Sequence, residues 1–527
     1  MSWSLPVLLL LTLLLPSAAP AAAPKPAAPL ELSFYYGLDL RKDSEVLELE
    51  RVWRRAAAAG YTRVMLVDVH FARPAAMDGH YRANAARVRG LAKQLGLAIV
   101  PGVFQVGRSN VMLGCDPNLA EGVPVRRARF VVRAGEARLV ADPPVSLGGR
   151  PEWTDPDVRV DGATAVSSDN SGRARFRLRV RVAPFRCYHV SVKVRSRGFS
   201  GEARVTALSG RQVLDFIRPL DIQPTQDWRT YDVVFNSLDH RELEIYMGLW
   251  HAARGRLEWT DWRIEEVGLL NVLRRPGAPC VVEGRVEGRD YEFIHDPDLE
   301  RVRGSGDYSE WHEPPRIRTR LPDGTELRVS WYHPEFFFGG KTTCCPSDPG
   351  TFALLREEAT RLRELWGASG HLLMLNELRC LGWDASCAAQ GATAGGLLAT
   401  HVRRCDSLLA GTQVYAWSDM FDPFHNAHAE YYLVRGDLAR SWEGLDRSVI
   451  VLNWNFEHRA ESLRFFSGRG HRQIIAGYYD GDPAEILDAL AAARGVPGVV
   501  GVMYTTWRQR YNDLERFARI VRGAGRD

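Results

Sequence analysis

From residue 349 to its end the chain repeats one pattern, a short apolar run followed by an amphipathic stretch. Residues 349–366 read as a helix, with Phe352, Leu355, Ala359, Leu362 and Leu365 on one face. Apolar strands follow at 372–377, 413–419 (QVYAWSD), 448–455 (SVIVLNWN), 473–480 (QIIAGYYD) and 499–507 (VVGVMYTTW). Helices are expected between and after them at 394–409, 428–440, 460–468, 483–494 and 511–522. The same alternation opens the chain: strand 32–39 (LSFYYGLD), helix 44–59, strand 63–70 (RVMLVDVH), helix 81–95 and strand 97–104 (LAIVPGVF). Strands joined by helical crossovers lie parallel, and eight of them are what a closed (β/α)8 barrel of the TIM type requires.

The alternation is interrupted after the third strand. Across 126–270 helical periodicity gives way to short alternating runs at 175–182, 189–194, 203–208, 230–235, 243–249 and 257–264, separated by turn residues. That spacing predicts an inserted β-sandwich. The stretch resembles the jelly-roll carbohydrate-binding modules of bacterial glycosidases, whose last strand reads much like WTDWRI (259–264). Trp228, Trp250, Trp259 and Trp262 are its candidate sugar platform, with core packing as the plainer alternative. Residues 271–348, rich in Gly, Pro and charge, are expected to form an irregular bridge or lid. Within them 327–333 (LRVSWYH) is either a barrel strand or an extension of the loop after strand three. The expected division is 1–29 leader, 30–125 first barrel part, 126–270 sandwich, 271–348 bridge and 349–527 second barrel part.

Residues 1–29 carry an apolar run at 5–15 and small residues ending in Ala21-Ala22-Ala23, the pattern of a cleaved secretory signal, followed by an Ala/Pro tether at 24–29. The run is too short to span a bilayer, so a secreted or periplasmic protein without a membrane span is expected. A net charge of +4 over 527 residues argues against a nucleic-acid partner. Eight cysteines include no C-x-x-C pair; export permits disulfides, and Cys380 and Cys387 are close enough in sequence to bridge. No G-x-S-x-G elbow and no Rossmann or P-loop glycine pattern occurs, and no bound cofactor is implied. A metal hydrolase built on Asp419, Asp422, His425 and His428, or on Asp68 and His70, is the weaker rival, since no H-x-H or H-E-x-x-H spacing accompanies them.

The C-terminal ends of barrel strands open onto the pocket where catalytic groups sit. Lined up, they supply Asp39, Asp68 with His70, Asn376 with Glu377, Trp417 with Asp419, Trp454, Tyr478 with Asp480, and Trp507. Aromatic walls for the apolar faces of a sugar and carboxylates for its hydroxyls make a monosaccharide pocket. Glu377, directly after a buried strand, is the candidate general acid/base. The plainer alternative is a helix cap or an ion pair with Arg379.

On these residues the region 349–507 resembles the catalytic domain of glycoside hydrolase family 20, the β-N-acetylhexosaminidases. That family ends strand four in Asp-Glu, closes strands five and six with Trp, and ends strands seven and eight in Tyr-x-Asp and Trp-x-Glu. The resemblance implies that Glu377 protonates the glycosidic oxygen, Tyr478 holds the acetamido carbonyl, Asp480 binds a hydroxyl, and Trp417, Trp454 and Trp507 wall the sugar. The substrate's own acetamido group would be the nucleophile. Two positions depart: Asn376 replaces the Asp, and Gln509 replaces the Glu. Three readings follow: weak substrate assistance, a plain sugar attacked by a protein carboxylate (Asp480 or Asp419), or a glycan-binding barrel with a decayed site. Retaining barrel glycosidases that end strand four in Asn-Glu are the analogue for the second. In every case the expected ligand is an oligo- or polysaccharide or a glycoconjugate.

Overall fold

The computed structural model describes residues 30–215 and 219–524; the expected leader at 1–29 lies outside them. Eight parallel strands close into a barrel in chain order. They are β1 (Glu31–Leu38), β2 (Arg63–Asp68), β3 (Ala98–Val103), β4 (Gly370–Leu373), β5 (Gln413–Trp417), β6 (Ile450–Asn453), β7 (Gln473–Tyr478) and β8 (Val499–Thr505). Closure is made by β1, which pairs with β2 on one side and β8 on the other. The period-two rule sorts each strand. Met65, Val67, Leu372, Tyr415, Ile450, Leu452, Ile474 and Met503 fill the interior, whereas Val64, Leu66, Leu373, Val414, Val451, Ile475 and Val502 face the outer helices.

Those helices form because apolar residues recur at helical spacing and the ends carry stop signals. In α1 (Asp43–Ala58) Val46, Leu49, Val52, Trp53 and Ala56 are buried. In α2 (Gly79–Leu95) the Asp78 side chain accepts from the Tyr81 N–H, and Gly96 at φ +68° ends the last turn. In α3 (Pro349–Trp366) Asp348 caps, Pro349 occupies the first turn and Gly367 closes in the left-handed region.

Between β3 and β4 the described residues build three antiparallel five-stranded sheets. Two of them, assembled from Trp153 to Val267, share one apolar core that includes Phe176, Leu178, Val190, Val192, Ile245 and Trp259. The third recruits distant segments: Val123–Arg133 pairs antiparallel with Glu326–His333, flanked by Glu136–Leu139, Val281–Val282 and Ile317–Arg318. Its own core contains Phe130 and Trp331. Residues 327–333 therefore join neither the barrel nor a loop, and the stretch expected to be irregular contributes three strands of this sheet. The reason is pairing at a distance of about two hundred residues along the chain, which local patterning does not reveal.

Two barrel expectations need correction. β4 ends at Leu373, not at residue 377. No helix forms over 428–440: the chain makes turns and a two-residue strand, Leu433–Val434, parallel to Cys380–Leu381. Ala427, Tyr431, Val434 and Leu438 are buried at helix-like spacing, but Glu430, Tyr432, Gly436 and Arg440 all have positive φ, which breaks any helix. Among the described residues no helix is long and apolar enough to cross a membrane.

Candidate active site

The C-terminal mouth of the barrel is lined by aromatic rings. Trp417, the last residue of β5, lies 5.9 Å from Trp507, and Tyr35 of β1 lies 6.1 Å and 5.3 Å from the two. Tyr479 is 5.4 Å from Trp507 and stacks on Trp454 at 6.1 Å. Trp507 is 51% exposed and forms the rim. Trp417 Nε1, the Tyr479 hydroxyl and His425 Nδ1 are buried with no hydrogen-bond partner within the protein. His425 packs on Trp454 at 4.5 Å. A buried polar group left unpaired costs about 1–3 kcal/mol, so each of the three calls for a partner from outside the protein, a water or a ligand.

Glu377 stands at this mouth on a strained backbone. It is left-handed (φ +54°), a conformation uncommon for a non-glycine residue. Its N–H donates to Asp419 Oδ2 at 2.9 Å. Asp419 is fully buried and also accepts from Asn426 Nδ2 at 3.0 Å and from Trp454 Nε1 at 3.2 Å. Burial pushes the Asp419 carboxyl above the usual carboxylate range; His425 and the hydrogen bonds from Glu377 N–H and the Trp454 indole oppose that rise, and the charge of Glu377 adds to it. Asp419 is thus a positioning residue that fixes both the acid candidate and one aromatic wall.

Both oxygens of Glu377 are engaged. Arg379 Nη2 donates to Oε1 at 2.6 Å, and Arg108 Nη2 donates to Oε2. The Arg379 pairing is the one that sequence offered as the plainer alternative; Arg108, distant by 269 positions, was missed. Its local signal is Gly107: a Cβ there would meet the Asn376 carbonyl oxygen at 2.4 Å. Only glycine lets this loop run against the 376–377 backbone and carry Arg108 over the carboxylate. Asn376 is half-buried beside it.

The end of β7 departs from the expected arrangement. Tyr478, Tyr479 and Asp480 have successive φ values of +85°, +54° and +66°. This run breaks the strand alternation and turns Tyr478 outward, where it stacks on Tyr504 at 4.5 Å and donates to Asp513 Oδ2 at 3.0 Å. Tyr479 takes the inward place. Asp480 accepts from the Thr506 hydroxyl, and its Oδ2 accepts from the N–H groups of Trp507 and Arg508 at 2.9 and 3.1 Å. Gln509 Nε2 donates to the Gly37 carbonyl at 3.3 Å.

The acids of the first two strands are also occupied. Asp68 accepts from His70 N–H at 2.7 Å, Leu40 N–H at 2.9 Å and the Tyr81 hydroxyl at 3.2 Å. Asp39 pairs with Arg41, Lys42 and His70. Asp39, Asp68 and His70 do converge, their ligand atoms lying within 4.8 Å of one another, but Arg41 and Lys42 already place positive charge there. Asp419, Asp422, His425 and His428 do not converge. Asp422 is buried on Ser462 and Asn455, and His428 turns to the Ala429 carbonyl.

All eight cysteines are free thiols. Cys387 lies 3.8 Å from Cys345 rather than against Cys380. In the antiparallel sheets Trp259 and Trp262 are core residues, 2% and 7% exposed, and pack on Phe176. Trp228 and Trp250 are half-buried beside Arg195 and Arg175.

No family model matches the chain, and no curated protein matches it. Solved structures do. The chain is similar to a glycoside hydrolase family 20 β-N-acetylglucosaminidase, at 10% identity over 94% of this chain and 69% of that one, with a TM-score of 0.35. It is similar to the rhamnosidase from Novosphingobium sp. PP1Y, at 12% identity over 95% of this chain and a TM-score of 0.34; it spans 59% of that enzyme's length. A β-N-acetylhexosaminidase from Bacteroides fragilis NCTC 9343 aligns at 14% identity over 35% of this chain and 41% of that one, with a TM-score of 0.25. At these scores the likenesses carry no functional argument; the chemistry rests on the residues of the mouth.

Proposed function

We propose that this chain is an exported glycoside hydrolase acting on a β-linked sugar, hexosaminidase-like in its layout, with Glu377 as general acid/base. One observation carries the reading. At the mouth of a closed parallel barrel a carboxylate, held in a left-handed backbone by buried Asp419, adjoins rings whose buried polar atoms have no partner within the protein. Aromatic faces receive the sugar's C–H surface, the unpaired donors receive its hydroxyls, and Glu377 protonates the leaving oxygen. Tyr479 is the better candidate than Tyr478 for holding a substrate carbonyl. Asp480 ties the end of β7 to residues 506–508 just after β8, so a protein nucleophile at that position is not favoured. Residues 126–270 are proposed as a carbohydrate-binding-like module, with Trp228 and Trp250 the remaining platform candidates.

A second reading, a glycan-binding barrel that does not cleave, is favoured by the ion pairs on both Glu377 oxygens and by Asn376. Hydrolysis of paired aryl β-glycosides, N-acetylated and plain, separates the two. Release of the aryl group by the wild type supports the hydrolase, and slower release by Glu377→Gln on the less activated members of the panel supports Glu377 as its acid. Sugar binding without release from any member of the panel supports the binder.

A further inference from the structure

We infer that the mouth takes an anionic sugar, one bearing a carboxylate or a sulfate, and that Arg108 passes from Glu377 to that anion when the sugar binds. The inference rests on the proposed sugar site and deepens it by naming the substrate class.

Each oxygen of Glu377 is engaged by a guanidinium group, so a glycosidic oxygen approaching the carboxyl competes with an arginine for it, and the two arginines differ in freedom. Arg379 is 7% exposed and packs over the rings of Phe338 and Tyr432, 5.1 and 5.0 Å from their centroids. A buried guanidinium packed on two aromatic rings is fixed in place. The Arg108 side chain is 52% exposed, although the backbone of its loop runs against residues 376–377 at Gly107. It is the group that moves.

Moving it off a carboxylate is favourable when another anion receives the same fork of N–H donors, and a neutral sugar has none. A second observation points the same way. Arg379 Nε is buried with no partner within the protein, so the fixed guanidinium retains a donor that the Glu377 pair leaves unused. The mouth therefore holds two guanidinium groups against the single carboxylate they both engage. An anionic sugar would bind Arg108, free Glu377 Oε2 for the leaving oxygen, and leave Arg379 to orient the acid. A neutral sugar would meet a closed latch.

The test is calorimetry with the full chain and four probes: methyl β-glucuronide, methyl β-galacturonide, glucose 6-sulfate and methyl β-glucoside. The expected result is at least one anionic probe binding about tenfold tighter than the neutral one, the ratio that one charge-assisted hydrogen bond supplies. That advantage falls with added salt and is lost in Arg108→Met. Glu377→Gln, which removes the competing carboxylate, tightens the anionic probe. The carboxylated and sulfated arms say which anion is preferred. Equal or tighter binding of the neutral probe, no binding of any anionic probe, or an anionic advantage that survives in Arg108→Met overturns the inference. Anion preference without any aryl glycoside hydrolysis would leave it standing and remove the hydrolase reading. Hydrolysis confined to neutral substrates would do the reverse.

Discussion

The ends of β4 and β7 each present a carboxylate at the barrel mouth, and the two are held in opposite ways. Glu377 is gripped by side chains, one of them half exposed. Asp480 is gripped largely by main-chain N–H groups of the next strand's end. The Arg108 grip opens at the cost of a surface ion pair, about 0–1 kcal/mol. Main-chain grips open only by dismantling the turn. The difference separates a carboxylate available for chemistry from one that maintains the architecture, although the two are equivalent as strand-end acids in the sequence.

The largest expected effect that can break this contrast is on rate. Glu377→Gln should lower hydrolysis by about 10²–10⁴-fold with an unchanged melting transition, the range of a positioned general acid. Asp480→Ala should do its damage in stability. Loss of three hydrogen bonds to an ionised acceptor should cost about 2–4 kcal/mol in urea unfolding.

Glu358 sharpens the comparison with a third carboxyl that has no mouth to serve. It is 2% exposed, accepts from the Phe104 N–H at 3.0 Å, and is raised to about 7 by burial. The folded state therefore holds a proton that the unfolded state has released between about 4.5 and 7. Its contribution is fully present below that window and is lost as pH rises through it. Glu358→Gln should accordingly be more stable than the wild type by about 2–3 kcal/mol at pH 8, with the gap closing below pH 4. Trp507→Ala, at the exposed rim, should weaken sugar binding by about 1 kcal/mol with little change in unfolding. Arg108→Met should change stability least, by under about 1 kcal/mol.

The barrel was legible because most of its strands and helices declare themselves within their own windows: apolar runs, three-and-four spacing, Asp and Gly at helix ends. The mouth was legible in residue type and strand position: Trp417, Trp454 and Trp507 belong to one chain of ring contacts, and Glu377 is tied to it through Asp419. What was not legible depends on backbone or on distance. Tyr479 replaces Tyr478 because three successive left-handed residues turn the chain, and nothing in GYYD announces them. Arg108 reaches Glu377 from another strand's loop, and the third sheet joins segments two hundred residues apart. The helix expected at 428–440 failed because its apolar spacing serves turns packed against the barrel.

The most direct measurement varies the leaving group. Wild type and Glu377→Gln are compared on an alkyl β-glycoside, whose departing oxygen needs a proton, and on the dinitrophenyl β-glycoside of the same sugar, whose departing oxygen does not. If Glu377 is the proton donor, kcat/KM of the variant falls by about 10²-fold or more on the alkyl substrate and stays close to wild type on the dinitrophenyl one. An equal fall on both substrates, or none on either, would contradict that assignment.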